Sequence, residues 1–193
     1  MTRRLLQRLE DAIEARDPNE FSDALVEQFI QGPPDLGFDL VRSRAQQLLP
    51  NFAGTPIEPW IAETLAGSEP STPEPEGSPL PGASLLLKCC VMLIDARRLT
   101  SRPAKRSRRL AQAVSHTIGC EMMLAYGATH PDEWRAYCEA PLEEMRAEEY
   151  VQWKVWKNPM RGWYDDPDVV SAERRALEAV VAFLAARLGE PAP

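Results

Sequence analysis

The feature that most constrains this chain is one apolar run, Ser84 to Leu99 (S-L-L-L-K-C-C-V-M-L-I-D-A-R-R-L). Only Lys88, Asp95, Arg97 and Arg98 carry charge within it. Coiled as a helix, the run is hydrophobic almost all the way round, and such a helix must be covered on several sides. Lys88 and Asp95 lie two turns apart and share a stripe that can face solvent. Pro81 and Gly82 end whatever precedes the run, Ser84 is placed to cap it, and Arg97 and Arg98 complement the dipole at its C-terminal end. The run predicts a buried central helix, 84–99, with the rest of the chain wrapped on it.

The remaining sequence supplies helices to do so. Leu5, Leu6, Leu9, Ala12 and Ile13 fall on one face of a helix over Thr2 to Arg16. Asp17 followed by Pro18 starts a second helix, whose apolar face is Phe21, Leu25, Val26, Phe29 and Ile30 and which Gly32-Pro33-Pro34 ends. A third runs from Asp35 to Leu49, and a short fourth from Glu58 to Ala66 presents Trp60, Ile61 and Leu65. Beyond the central run, Pro103 opens a helix to about Tyr126 with Leu110, Ala113, Val114, Thr117, Ile118 and Met122 inward. Further helices are predicted from Pro131 to Cys138, from Pro141 to Lys157, and from Val169 to Leu188 behind a cap at Asp166 or Asp168. No stretch alternates as a strand does. The fold expected is an all-α multi-helix bundle of about seven to eight helices.

Gly67 to Gly82 (G-S-E-P-S-T-P-E-P-E-G-S-P-L-P-G) differs in kind. Rich in proline and glutamate, it has almost nothing to bury and reads as a polyproline-like or disordered linker. It divides the chain into N-terminal helices (1–66), a linker or loop (67–82) and a C-terminal helical bundle (83–193). The two helical parts can equally form one domain across a long loop.

Composition narrows the function classes. The chain has 193 residues and a formal net charge of −7, with 44% hydrophobic and 26% charged residues, an ordinary globular balance. No membrane span and no secretory leader are predicted. Cys89, Cys90, Cys120 and Cys138 are too few for a disulfide scaffold, which suggests reduced, buried thiols and a cytoplasmic setting. Arginine outnumbers lysine 18 to 4, a bias typical of high-GC bacteria. The acidic balance argues against general polyanion binding, which brings many positive groups to phosphates.

Candidate chemistry is sparse. His116 and Cys120 are one turn apart and, with Cys138 or His130, offer metal ligands or a thiol centre, but no closely spaced ligand pair accompanies them. No nucleophile motif and no glycine-rich phosphate loop is present. The acidic residues Glu143, Glu144, Glu148 and Glu149 lack the histidine that a helical di-metal site would add. No catalytic residue, cofactor or metal is therefore expected.

Two features are uneven. From Arg97 to Arg109 the chain has seven basic residues and no acidic one, so the rest is about twice as negative as the whole. Arg102, Lys105, Arg106, Arg108 and Arg109 are the candidates there for a phosphate or an acidic partner. Four of these residues sit in the first turns of a helix, where positive charge opposes the dipole and calls for compensation. That compensation can come from a phosphate, from Glu69, Glu74 and Glu76, from the acidic stretch 143–149, or from an acidic partner. A helix-turn-helix is excluded, because E-M-M-L-A-Y is apolar where base-reading residues are needed. The second feature is aromatic: half of the 14 aromatic residues lie between Trp134 and Tyr164. Trp153 and Trp156 share a helix face with Tyr150, and Arg161, Trp163 and Tyr164 follow in a loop, residue types that dominate binding hot spots.

These observations favour a non-enzymatic interaction or regulatory subunit of a bacterial cytoplasmic assembly, a class that includes antidote and immunity proteins. Its partner would be another protein, held chiefly by the aromatic set. The alternatives are a nucleic-acid-associated subunit using 97–109, and a metal or thiol enzyme around His116 and Cys120.

Overall fold

The computed structural model describes residues 2–139 and 166–189. Among them it shows eight α-helices, one 3-10 turn and no strand. The helices are α1 (Thr2–Ala15), α2 (Pro18–Gln31), α3 (Leu36–Leu48), α4 (Ile57–Leu65), α5 (Ala83–Arg98), α6 (Pro103–Thr129), α7 (Pro131–Glu139) and α8 (Pro167–Gly189). Leu49–Phe52 forms the 3-10 turn. The chain is thus an all-α multi-helix bundle. The helix expected over Pro141 to Lys157 lies outside the described residues.

Local chemistry explains most boundaries. Arg16 turns the chain with φ of 51°, and the Asp17 carboxylate then accepts from the backbone N–H of Asn19 (3.0 Å) and Glu20 (3.1 Å), with Pro18 at the first helical position. Of the two candidate caps on α8, Asp166 is the one used: its Oδ1 accepts from the N–H of Asp168 at 2.8 Å and of Val169 at 3.3 Å. The cap expected at Ser84 is displaced. The α5 helix begins at Ala83 behind Gly82, whose φ is 79°, a left-handed conformation that favours glycine. A β-carbon at Gly82 would also stand 2.6 Å from the Cys120 Sγ, so close packing on α6 fixes where the helix starts.

Burial follows the apolar stripes with two narrowings. Leu5, Leu9, Ala12 and Ile13 of α1, Phe21, Ala24, Leu25 and Phe29 of α2, and Trp60, Ile61 and Leu65 of α4 are all buried. Ile30, expected on the inner face of α2, is 49% exposed, because it falls at the edge of a stripe that Phe29 already fills. On α8 the fully inward positions are Val169, Ala172, Ala176, Val180 and Leu184, with Val170, Leu177, Val181 and Leu188 at the margins. Buried apolar residues from both 1–66 and 83–189 join in one hydrophobic cluster.

The apolar run is buried along Ala83, Leu86, Leu87, Cys89, Cys90, Leu93 and Ala96. Its other side, with Leu85, Val91, Met92 and Ile94, is only partly covered, and Lys88 is exposed. The element that touches most others is α6, which packs on α2, α3, α5, α7 and α8. Two properties suit α6 to that place. At 27 residues it is about 40 Å long. It also presents small buried residues (Ser107, Ala111, Ala113, Thr117) that let neighbours approach from several directions. No helix among the described residues is long and apolar enough to cross a membrane.

Candidate partner-binding surface

The basic run falls where α5 ends and α6 begins. Leu99 closes α5 by donating to the carbonyls of Asp95 and Ala96, and Pro103 restarts the chain as α6. This short corner divides the seven cations into two sets.

Four of them are engaged by the protein itself. Arg97 is half-buried and donates to the Thr64 carbonyl at 2.6 Å, and burial lowers its pKa. Arg98 grips the Glu69 carboxylate with two hydrogen bonds, at 3.0 and 2.9 Å. That contact holds Glu69 below the usual carboxylate range. Arg106 lies 4.8 Å over the Phe38 ring, donates to the Pro34 carbonyl at 3.0 Å and stands 3.7 Å from Asp35. Its Nε is buried without a hydrogen-bond partner. Arg109 reaches Asp95 at 3.7 Å and donates to Gln112 at 3.1 Å. These contacts tie α6 to α3 and α5, so Arg106 and Arg109 serve the fold.

Arg102, Lys105 and Arg108 form the second set. All three are exposed, and their side chains have no ion-pair partner among the described residues. Arg102 occupies the N-cap of α6 and makes no capping bond there. The charge of these three opposes the dipole of α6 and is not paired by the described residues, whereas Arg106 and Arg109 on the same turns reach Asp35 and Asp95.

The described thiols are buried, and the His130 imidazole is engaged by its neighbours. Cys89, Cys90 and Cys120 are buried and reduced. Burial pushes Cys90 and Cys120 up to about 12 and raises Cys89 well above its ordinary value, so none is a thiolate near neutrality. His116 is part-buried, and desolvation together with the charge of Lys88 lowers its pKa. The His130 ring stacks on Tyr126 with centroids 4.5 Å apart, its Nδ1 lies 2.8 Å from the Thr129 hydroxyl, and its Nε2 lies 3.4 Å from Asp166. The Tyr126 hydroxyl donates to Glu133, and burial and that carboxylate raise the phenol to about 12. Among the described residues no group of three His, Cys, Asp or Glu is placed to hold a metal. The Cys138 side chain lies outside the described positions.

One arrangement had no signal in the sequence. Arg44 of α3 and Glu121 of α6, 77 residues apart, form an ion pair whose side chains are only 11% and 16% exposed. The pair stands on the wall of an open cleft of about 330 Å³ between α3, α6 and α8, with Gln47 and Arg175 beside it and Leu48 and Leu124 below. Burial raises the Glu121 carboxyl above its ordinary value, and the charges of Arg44 and Arg175 only partly offset this.

No family model, curated protein or solved structure matches this chain. The reading of function therefore rests on its own residues. Trp153, Trp156, Arg161, Trp163 and Tyr164, together with the acidic stretch 143–149, lie outside the described residues. Of the two candidate partner-binding sets, the corner cations are the one that lies among the described residues.

Proposed function

We propose that this chain is a non-enzymatic helical interaction protein, a regulatory or accessory subunit of a bacterial cytoplasmic assembly, that engages an acidic protein surface with its α5–α6 corner. The observation that carries this reading is the exposure of Arg102, Lys105 and Arg108 without partners among the described residues, on a chain whose net charge is −7. A local positive patch on an acidic body attracts a complementary acidic patch and repels other orientations, which gives a defined docking register. The patch is a single corner rather than a long stripe, which suits a protein surface better than a polyanion contacted over many phosphates. The buried thiols and the engagement of His130 by Asp166 favour binding over nucleophilic chemistry.

The test uses a triple variant, Arg102→Gln, Lys105→Gln and Arg108→Gln. A photo-crosslinker at Ala104 in the wild-type chain should capture a protein partner in the native host, and the triple variant should lose it. With that partner purified, neutralisation should slow association about tenfold at low salt, with less effect at high salt. Binding of wild type to a mixed-sequence duplex or to polyuridylate, with affinity falling steeply as salt rises, would reassign the corner to nucleic acid. Unchanged association of the triple variant would remove the corner from the interface altogether.

A further inference from the structure

The proline-rich segment between α4 and α5 is not a loose linker along its whole length. It crosses the surface as a strap held by side chains from three helices. The indole Nε1 of Trp60, on α4, donates to the Thr72 carbonyl at 3.3 Å. The indole Nε1 of Trp134, on α7, donates to the Pro79 carbonyl at 2.7 Å. Arg98, on α5, grips Glu69 through both carboxylate oxygens, and Glu63 accepts from the Ser71 N–H at 3.0 Å. Pro81 then lies flat on α6 where Gly127 leaves room for it, since a β-carbon at Gly127 would stand 2.2 Å from the proline ring.

We infer that the surface beneath the strap is a docking groove for an extended, acidic, proline-rich peptide, and that residues 68–80 occupy it in cis. The form of the contacts argues for this. Both indoles read main-chain carbonyls, seven residues apart, and neither requires a particular side chain on the strap. A proline-rich segment suits such donors, because an extended chain without internal hydrogen bonds leaves its carbonyls free. Aromatic side chains facing proline-rich segments are a recurrent way of binding peptides. A side-chain contact that discriminates is ionic, Arg98 on Glu69, which selects an acidic residue near the start of the peptide. Strap residues 73, 74, 76 and 77 between the indole contacts are exposed, so the anchors rather than burial hold the segment. A tether at both ends gives the strap an effective concentration in the millimolar range, which shields the groove from weak peptides and yields only to a stronger or more concentrated ligand. Arg102, Lys105 and Arg108 take no part, so this inference stands apart from the acidic-partner reading of the corner.

The experiment uses the full chain with residues 68–80 replaced by a Gly/Ser linker of the same length, and a fluorescent peptide, SEPSTPEPEGSPL, copied from the strap. The replaced chain should bind the peptide in anisotropy titrations about tenfold more tightly than wild type, in which the strap competes. A peptide carrying Glu69→Lys should bind the replaced chain several-fold more weakly. The inference is overturned if the folded, replaced chain binds the strap peptide no better than a Gly/Ser peptide. It is overturned equally if oligoglutamate of the same length binds as well, since that would reduce the groove to its charge. Should the replaced chain lose its cooperative melt, the full chain with Glu69→Lys alters one exposed pair only. It must then bind the wild-type peptide more tightly than the unmodified chain does, and equal binding refutes the groove.

Discussion

Replacing Glu121 with Gln keeps the side chain's shape and removes its charge. Arg44 would then be left 11% exposed, facing no carboxylate, with an Nε that already lacks a hydrogen-bond partner. Removing one member of a deeply buried ion pair costs about 3–5 kcal/mol, because the remaining charge is neither solvated nor paired. Here the pair lines an open cleft, and water reaches part of the guanidinium, so about 2–3 kcal/mol is expected. In a chain of this size each kcal/mol corresponds to roughly 2–4 °C in melting temperature, so Glu121→Gln should melt about 4–12 °C lower. Replacing both residues, Arg44→Met with Glu121→Met, should recover most of that loss, since apolar side chains of similar volume need no desolvation of charge. Urea unfolding followed by circular dichroism at pH 7 measures both effects. The reasoning is refuted if Glu121→Gln unfolds within about 0.5 kcal/mol of wild type at pH 7, or if the double replacement is less stable than the single one.

Three further outcomes are expected. Leu93→Asp, at a position 1% exposed on α5, places an unpaired charge in the core at a cost of several kcal/mol, comparable to a domain's whole stability, and should abolish the cooperative thermal transition. Wild-type melting of that variant would show that α5 does not pack as described. Gly82→Ala should lower stability by about 1–3 kcal/mol in urea titrations, because it forces a left-handed φ on alanine and drives a methyl group into Cys120; a neutral effect would mean that the turn rearranges at no cost. In a Cys138→Ser background, Cys89, Cys90 and Cys120 should resist iodoacetamide at pH 8 and react only as the protein unfolds, since burial keeps all three protonated; labelling of any of them at the rate of a free thiol contradicts this.

The sequence by itself determined the helices seen among the described residues. Asp17-Pro18 is a start signal whose mechanism is local, a carboxylate facing the open N–H groups of the next turn, and the pair Asp166 and Asp168 offered another, of which the structure uses Asp166. The i, i+4, i+8 spacing of Leu5, Leu9 and Ile13 likewise fixed which side of α1 turns inward. Hydrophobicity counts how much of a helix wants cover, and it marked Ser84 to Leu99 correctly as a run needing neighbours. It does not say which helix the others can approach most closely. That depended on length and on small residues at facing positions, and it placed α6 at the hub. The basic run shows the same division. Its charge was legible in one dimension, but the corner between α5 and α6 decided that Arg97, Arg98, Arg106 and Arg109 find carbonyls and carboxylates from distant segments while Arg102, Lys105 and Arg108 face solvent. The strap and the Arg44–Glu121 pair belong wholly to the tertiary structure. Trp60 and Thr72, Trp134 and Pro79, and Arg44 and Glu121 meet only because packed helices bring them together. No local spacing encodes a hydrogen bond between groups whose separation is set by the core beneath them.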